Sequence, residues 1–323
     1  MKQIATRLLA AFLALALLCS CTAQGGETDG SSAGDADNAS VAVTDANGDT
    51  VTLPAGTDSL RVVCLYGSYA QAWLSAGGTL CGVTEDAVTE RKLDVGDAEI
   101  VGTVKEPNTE KIIALAPDWV VLSADIAAQN EVRDVLENAG LRCSFFRVDT
   151  FDDYAGLMEQ FVQVTGQTER LDETVVPARQ LIDDVKKATE GVSNPPSVLL
   201  IRAFSSGIKA KKEEELAGAI LKELGTHNIA DEHPSMLEDL SLEEVILSDP
   251  DFIFVTTMGS EKKALAYLDS QIEKNPAWQE LTAVKEGRCI VLPKELFHYK
   301  PNELWGKSYE YLAQILYPDC FPD

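Results

Sequence analysis

Short, uninterrupted apolar segments alternate along the chain with longer segments in which apolar residues recur every three or four positions. Uninterrupted apolar segments are typical of strands in parallel sheets, which are covered on both faces, and the longer segments indicate the helices that cover them. The pattern therefore predicts an α/β protein. The predicted strands cover residues 61–65, 80–84, 99–101, 119–123, 143–148, 198–201, 252–256 and 289–292.

A charged amphipathic segment between residues 168 and 192 separates these strands into two groups. The segment is long for a crossover between strands, and Pro195 and Pro196 follow it, so we interpret it as one helix that joins two lobes. One more surface helix is the alternative. The predicted organisation is an N-terminal lobe over 41–167, a linking helix over 168–193 and a C-terminal lobe over 194–323.

An internal repeat supports the two lobes. Residues 110–122 align without gaps on residues 243–255, and each copy has an acidic residue at its start, a Pro-Asp pair in the middle and an apolar strand at its end. In each copy the proline is expected to end a short helix. One copy lies on each side of the predicted linking helix.

The N-terminal residues contain a short basic segment and an apolar run over 8–18, followed by Cys19 and Cys21. The run is too short to span a bilayer as a helix and is typical of a secretory signal. With a small residue before Cys21, the junction resembles a bacterial lipobox, whose cysteine is lipidated after cleavage. We therefore expect a signal peptide over 1–20 and lipidation at Cys21. An ordinary secretory signal is the alternative, and Cys19 is less favourable because bulky Leu18 precedes it.

Residues 21–40 consist of the lipidated cysteine and a stretch rich in Gly, Ser, Asp, Ala and Thr, a composition that predicts a flexible tether. The expected location is extracytoplasmic, with the protein anchored to a bacterial membrane. The formal net charge is −25, and removing Lys2 and Arg7 with the signal makes it −27. This charge argues against nucleic-acid binding and against broad contact with anionic lipid.

The cysteines outside the signal region are expected to be buried thiols, because most of them lie in or beside apolar runs. A disulfide between Cys64 and Cys81 is the alternative in an exported protein. No Cys-x-x-Cys spacing of a metal or redox site is present. These cysteines are Cys64, Cys81, Cys143, Cys289 and Cys320.

A family resemblance is carried, in chain order, by residues 43–54, 61–65, 82–84, 108–118 and 278–292. Together they resemble the proteins that bind siderophores, haem and cobalamin for bacterial ABC importers, and the resemblance covers nearly all of 41–318. It implies two Rossmann-like lobes joined by one long helix, a ligand cleft between them, and delivery of the ligand to an ABC permease dimer and its ATPase. It also implies docking to the permease through one acidic residue on each lobe, here Glu110 and Glu243.

Ligands of open α/β lobes bind beyond the carboxyl ends of the strands. Aromatic side chains there can stack on a flat ligand or bind iron through a phenolate, and basic side chains can bind carboxylates or a negative ferric chelate. Core packing for the tyrosines and a solvated turn for the lysines are the alternatives. The candidate ligand-binding residues are Tyr66, Tyr69, Lys105, Arg202, Lys209, His298, Tyr299, Lys300 and Trp305.

The predicted function is the lipid-anchored substrate-binding component of an ABC importer that captures an iron chelate, specifically an anionic ferric siderophore. Haem or a corrinoid is the alternative ligand. No resident cofactor is expected, because the iron belongs to the transported ligand, and three scattered histidines do not predict a metal site. An enzyme is not expected. A lipid-anchored hydrolase is the remote alternative, since residues 205–207 lack the Gly-x-Ser-x-Gly pattern and no glycine-rich phosphate loop follows the first strand.

Overall fold

The computed structural model describes residues 40–56, 60–238 and 240–322, without the side chain of Glu273. The predicted signal peptide, Cys21 and the tether up to residue 39 lie outside these residues. The strands are β1 (Ser40–Thr44), β2 (Thr50–Pro54), β3 (Val62–Cys64), β4 (Gly82–Val83), β5 (Glu99–Ile100), β6 (Trp119–Ser123), β7 (Cys143–Phe146), β8 (Ser197–Phe204), β9 (Gly207–Lys211), β10 (His227–Asn228), β11 (Phe252–Thr257) and β12 (Cys289–Val291).

The helices cover the sheets and connect their strands. Short 3₁₀ turns lie at Ile229–Asp231, Pro234–Leu237, Asn302–Leu304 and Pro318–Cys320, and a π turn lies at Asp269–Glu273. The α-helices are α1 (Gly67–Ser75), α2 (Asp86–Thr89), α3 (Thr109–Ala114), α4 (Ala127–Glu131), α5 (Arg133–Asn138), α6 (Phe151–Thr165), α7 (Arg170–Thr189), α8 (Leu216–Glu223), α9 (Leu242–Ser248), α10 (Glu261–Leu268), α11 (Pro276–Gln279), α12 (Thr282–Lys285), α13 (Lys294–Phe297) and α14 (Trp305–Leu316).

The first sheet has the order β5-β4-β3-β6-β7, and all its strand pairs are parallel. Every residue of β3, β6 and β7 is buried, as expected for strands covered by helices on both faces. A separate antiparallel hairpin, β1–β2, packs beside this sheet. The Asp45 carboxylate of the hairpin turn accepts a hydrogen bond from the Phe145 N–H of β7 at 2.9 Å.

The second sheet has the parallel order β10-β8-β11-β12, with β9 added antiparallel to β8. The parallel strands β8, β11 and β12 agree with the sequence prediction, whereas β9 was not predicted. In β9 the apolar residues Ile208 and Ala210 alternate with lysines, because only one face of this edge hairpin is buried. The α/β prediction with parallel sheets is confirmed.

A helix covers Arg170–Thr189, inside the segment predicted to be helical, and lies between the two sheets along the chain. Its buried stripe of Val175, Ala178, Ile182 and Val185 packs in a core shared with α6 and α14. Gly306 at the start of α14 approaches α7 so closely that a Cβ there would lie 2.8 Å from the Leu181 Cβ. The division into lobes at 167 and 194 stays a prediction.

The hydrophobic residues form three buried clusters. One includes one face of each sheet together with α6, α7 and α14, and the other two cover the remaining face of the second and first sheets. Cys64 is fully buried in the first of these clusters, which raises the pKa of its thiol, and Cys64 and Cys81 form no disulfide. None of the helices in the described residues is long and apolar enough to cross a membrane.

Candidate ligand-binding cleft

A cleft of about 660 Å³ is lined by residues that follow strands of both sheets. This volume is in the range of small-molecule sites, roughly 300–1,000 Å³. The lining residues are Tyr66, Ser123, Asp125, Ile126, Asp149, Thr150, Arg202, Glu213, Glu214, Glu215, Leu216, Ala219, Met258, Phe297, His298, Tyr299 and Lys300.

Two other cavities lie near the C-terminal end of α7. They include Pro195, Asp251 and Arg288, which precede β8, β11 and β12. Parallel sheets bind ligands at the carboxyl ends of their strands rather than at the amino ends. We therefore assign the candidate site to the cleft at the strand ends.

The first wall of the cleft is built by the turns after β3, β6 and β7. Tyr66 precedes the first turn of α1 and packs edge-on against Tyr69, with ring centroids 5.3 Å apart. Asp125 follows β6 and Asp149 follows β7, so the first wall carries two carboxylates.

The second wall contains Arg202, but this cation is already paired. Its guanidinium contacts the Glu215 carboxylate, and Lys211 Nζ lies 3.3 Å from the other oxygen of the same carboxylate. The side chains of Arg202 and Glu215 are only 13% and 16% exposed. Arg202 thus lines the cleft as predicted, with its guanidinium paired to Glu215, and its role in ligand binding stays a prediction.

Lys300 is also paired across the cleft. Its Nζ lies 3.2 Å from the Asp149 carboxylate and 4.0 Å from that of Asp125. Arg147 binds the same Asp125 at 2.7 Å. Lys300 lines the cleft as predicted, and its charge is balanced by the first wall.

His298 lines the cleft as a neutral ring. Burial, and then the charges of Lys294 and Arg202, lower the pKa of His298 to about 4. Its Nδ1 atom is buried and has no hydrogen-bond partner among the described residues. At neutral pH His298 therefore adds a polar ring to the cleft and no positive charge.

Tyr299 belongs to a group of contacts, here called the bridge, that connects residues 299–303 to α1 and to the two residues directly after α2, Glu90 and Arg91. The Tyr299 hydroxyl donates to the Glu90 carboxylate, and the Arg91 guanidinium lies 5.6 Å from the centroid of the Tyr299 ring. Burial is the main cause of the raised pKa of Tyr299. The hydroxyl thus stays protonated and is a poor source of a phenolate ligand for iron.

The bridge continues through two amide side chains. Gln71 accepts a hydrogen bond from Arg91 and donates to the Glu303 carboxylate at 2.6 Å. Asn302 Nδ2 donates to the Ser68 carbonyl at 2.8 Å, and the Asn302 side chain is almost fully buried.

Two predicted aromatic residues lie in the core instead of the cleft. Tyr69 is 0% exposed, and its hydroxyl donates to the Phe146 carbonyl at 2.9 Å. Trp305 is 1% exposed and packs against Phe151. Burial of these large aromatic rings is favoured by the hydrophobic effect, and neither residue lines the cleft.

Two predicted lysines are also outside the cleft. Lys105 is exposed in the loop after β5. Lys209 lines a separate cavity of about 420 Å³ with Glu238 and Tyr267. The structure thus brings together Tyr66, Arg202, His298, Tyr299 and Lys300 of the predicted set, and it leaves out Tyr69, Lys105, Lys209 and Trp305.

Sequence reasoning missed the acidic character of the cleft. The glutamates at 213–215 directly follow Lys211 and Lys212, and we considered them only as partly offsetting the lysines of a solvated turn, although this adjacency was also a signal for ion pairs in the cleft. Asp125 and Asp149 gave no comparable signal, because their convergence depends on the order of the strands in the sheet. Among the described residues, no group of three His, Cys, Asp or Glu side chains could hold a metal ion.

The two predicted docking residues occupy equivalent places. Glu110 and Glu243 are exposed and lie in the first turns of α3 and α9. Asn108 and Ser241 cap these helices, each accepting from the backbone N–H three residues further on, at 3.0 and 3.3 Å. Both carboxylates are also placed favourably for the positive end of a helix dipole.

A family model described as periplasmic binding protein matches residues 62–296. The chain belongs to the periplasmic binding protein family. The members of this family are binding proteins rather than enzymes. The match includes both sheets and the cleft-lining residues up to Met258, and it agrees with the family resemblance drawn from the sequence.

Two Bacillus subtilis proteins and one solved structure illustrate what this family member is similar to. The Fe(3+)-citrate-binding protein YfmC is 27% identical over 245 residues, covering 73% of this chain and 74% of YfmC. YhfQ, provisionally named as an ABC transporter substrate-binding lipoprotein, is 25% identical over 243 residues, covering 70% and 74%. The structure of the TroA-like periplasmic binding protein FepB from Veillonella parvula superposes with a TM-score of 0.69 at 18% identity, covering 88% of this chain and 92% of FepB.

Proposed function

We propose that this protein is the substrate-binding component of an ABC importer and that it captures an iron chelate. The observation that carries the proposal is the cleft at the strand ends of two parallel sheets in a member of the periplasmic binding protein family. The similarity to YfmC, which is named for Fe(3+)-citrate, supports iron as part of the cargo. Delivery requires a membrane permease dimer and its ATPase.

The test is titration of the purified protein with ferric siderophores, ferric citrate, haem and cobalamin. Quenching of tryptophan fluorescence is a suitable readout, since Trp73, Trp119, Trp278 and Trp305 are buried in the fold that carries the cleft. Saturable binding of at least one iron compound is expected. Binding of cobalamin alone, or of none of these compounds, would contradict the proposal.

The proposed anchor is a lipid on Cys21, outside the described residues. The similarity to YhfQ supports it, because that protein is named a lipoprotein. The change Cys21→Ser should release the protein or leave it unprocessed, as measured by membrane fractionation. Normal processing of Cys21→Ser together with failure of Cys19→Ser would move the site to Cys19.

Haem is the second candidate ligand. Met258 and His298 line the same cleft, and methionine and neutral histidine are both axial ligands of haem iron. A shift of the haem absorption band on binding, lost in His298→Ala and in Met258→Ala, would favour haem. An unchanged spectrum in both variants would remove these residues as ligands.

The anionic ferric siderophore predicted from sequence has less support than the iron chelate itself. That charge was inferred from Arg202 and Lys209 as cations directed at the ligand. Arg202 is paired with Glu215, and Lys209 lies outside the cleft.

A further inference from the structure

We propose that the cleft selects an iron chelate of zero or positive net charge, of the ferric trihydroxamate type, and discriminates against polyanionic chelates. The proposal rests on the proposed function and narrows its substrate class. Three hydroxamate groups that have lost their protons balance the charge of Fe(III), and a pendant ammonium makes such a complex monocationic. A ferric tris-catecholate carries six phenolates and is a trianion.

The charges that line the cleft favour the first class. Five carboxylates, those of Asp125, Asp149 and residues 213–215, stand against two cations, Arg202 and Lys300. Both cations are bound by carboxylates of the lining itself. Three cations from outside the lining, Arg147, Lys211 and Lys222, also pair with these carboxylates and bring the local charge to neutrality. A polyanion therefore finds no unpaired cation among the described lining residues.

Releasing Arg202 to bind an anion would be unfavourable. Glu215 is mostly buried, and it would lose one of its two cations while an additional negative charge entered the cleft. Buried charges without their partners are strongly disfavoured. The Arg202–Glu215 ion pair therefore lowers the affinity for anionic ligands, in addition to leaving Arg202 unavailable to attract them.

Glu214 gives the cleft a carboxylate for a cationic group. It lines the cleft and is exposed, and none of the described cations forms an ion pair with it. The rest of the lining combines apolar side chains, among them Leu216, Met258 and Phe297, with uncharged polar side chains such as those of Ser123 and Thr150. This combination suits the methylene chains and pendant ammonium of a linear trihydroxamate.

The experiment compares matched probes by titration calorimetry in 50 and 500 mM NaCl. The probes are the ferric complex of desferrioxamine B, which is monocationic, its N-acetylated form, which is neutral, a ferric tris-catecholate and haem. We expect the monocationic complex to bind at least about tenfold more tightly than the tris-catecholate and to weaken in high salt, because salt screens its attraction to the cleft. The neutral complex should bind with little dependence on salt.

Two variants test the named residues. Glu214→Gln should weaken the monocationic complex about threefold and leave the neutral one unchanged, whereas Glu159→Gln, an exposed carboxylate on α6 outside the cleft, should change neither. Glu215→Gln should release Arg202 and strengthen binding of the tris-catecholate.

The outcomes distinguish a failure of the charge selection from a failure of the proposed function. Tighter binding of the tris-catecholate or of haem than of both trihydroxamates would overturn the charge selection and leave the proposed function standing. Binding of ferric citrate but of none of the four probes would overturn this inference and leave the proposed function standing, whereas binding of neither ferric citrate nor any of the four probes would overturn both. A Glu215→Gln protein that is folded and does not gain affinity for the tris-catecholate would refute the role of the ion pair.

Discussion

The two copies of the internal repeat end their helices with the same backbone conformation and different side chains. Each helix is followed by a residue in the left-handed region, Ala116 with φ 44° in the first copy and Asp249 with φ 39° in the second. Asp249 accepts hydrogen bonds from the Thr282 N–H at 2.8 Å and the Thr282 hydroxyl at 2.7 Å. Ala116 has no side-chain atom that can do this. The same turn is strained in one copy and stabilised by α12 in the other.

The aspartate after the proline shows a second difference. In the first copy the Asp118 carboxylate accepts from the Arg61 N–H, just before β3, at 2.9 Å. In the second copy the Asp251 carboxylate accepts from the Ser197 N–H at 2.8 Å and the Ser197 hydroxyl at 2.7 Å. The repeat thus preserves the backbone path and a partner at the start of the neighbouring strand, while the number of hydrogen bonds to the aspartate differs between the two copies.

The largest expected effect concerns the residue at the start of both copies. The double change Glu110→Ala with Glu243→Ala should abolish uptake, because each carboxylate is proposed to engage one half of the permease. Affinity for the ligand in solution should stay near wild type, since neither residue lines the cleft. Uptake of labelled chelate by cells and calorimetry on the purified protein measure the two quantities.

The matched control is Glu131→Ala with Glu261→Ala, two exposed carboxylates outside the repeat. The single variants refine the comparison, because equal losses of uptake are expected if the permease contacts both copies of the repeat equally. Normal uptake by the double variant would refute the docking assignment.

Next in size is the loss of the strand-anchoring aspartates. Asp251→Ala should lower the free energy of unfolding by about 2–4 kcal/mol and Asp118→Ala by about 1–2 kcal/mol, since hydrogen bonds to a charged group contribute about 1.5–3 kcal/mol and Asp251 accepts two from Ser197. Urea denaturation followed by circular dichroism gives both values. Equal losses would show that the bond to the Ser197 hydroxyl adds no stability.

One substitution should have opposite effects in the two copies. Ala116→Gly should raise the free energy of unfolding by about 1 kcal/mol, because glycine adopts positive φ without the penalty of a Cβ. Asp249→Gly should lower it by about 0.5–1 kcal/mol, because the loss of the bonds to Thr282 outweighs the relief of strain. Thermal unfolding of the two variants tests this, and the same sign in both would contradict it.

The smallest effect is a dependence on pH. The hydrogen bonds from Thr282 lower the pKa of Asp249, so the ionised form is favoured in the folded state. Its contribution to stability is present above the ordinary aspartate pKa of about 4 and is lost as the pH falls through the lowered folded pKa. The contribution should not exceed about 1 kcal/mol, because the carboxylate is exposed and screened by solvent.

Urea denaturation of wild type and Asp249→Asn at several pH values measures it. The difference in the free energy of unfolding should be constant above pH 5 and shrink below pH 4. A difference that persists at pH 2 would show that the asparagine disturbs the turn for another reason.

The sequence predicted the parallel strands and the repeat because both depend on local pattern. The apolar run at 119–123 predicts β6, and the Pro-Asp pairs predict the ends of the short helices, without information from distant residues. The hairpin strand β9 was missed because its alternating lysines resemble a solvated loop.

The cleft was predicted only in part, because its electrostatics depend on pairs far apart in the chain. Lys300 meets Asp149 across 151 positions, and Tyr299 meets Glu90 across 209. For Lys300, no local pattern shows that the predicted cation is already neutralised. The prediction that Tyr69 lines the cleft did not hold for a related reason. Only the packed fold shows that its hydroxyl donates to the Phe146 carbonyl and does not reach the cleft.

The bridge holds one side of the cleft against the other through contacts within the protein. Gln71, Glu303 and Asn302 connect the segment after the second sheet to α1. Because these contacts are made within the protein itself, we expect them to hold the cleft walls in place, so that the conformational entropy of ordering the walls is lost during folding rather than during ligand binding. Preorganisation of this kind increases the affinity for every ligand that fits the cleft. The bridge thus contributes to the affinity of the cleft for all ligands, whereas the residues that line the cleft determine which ligand is bound.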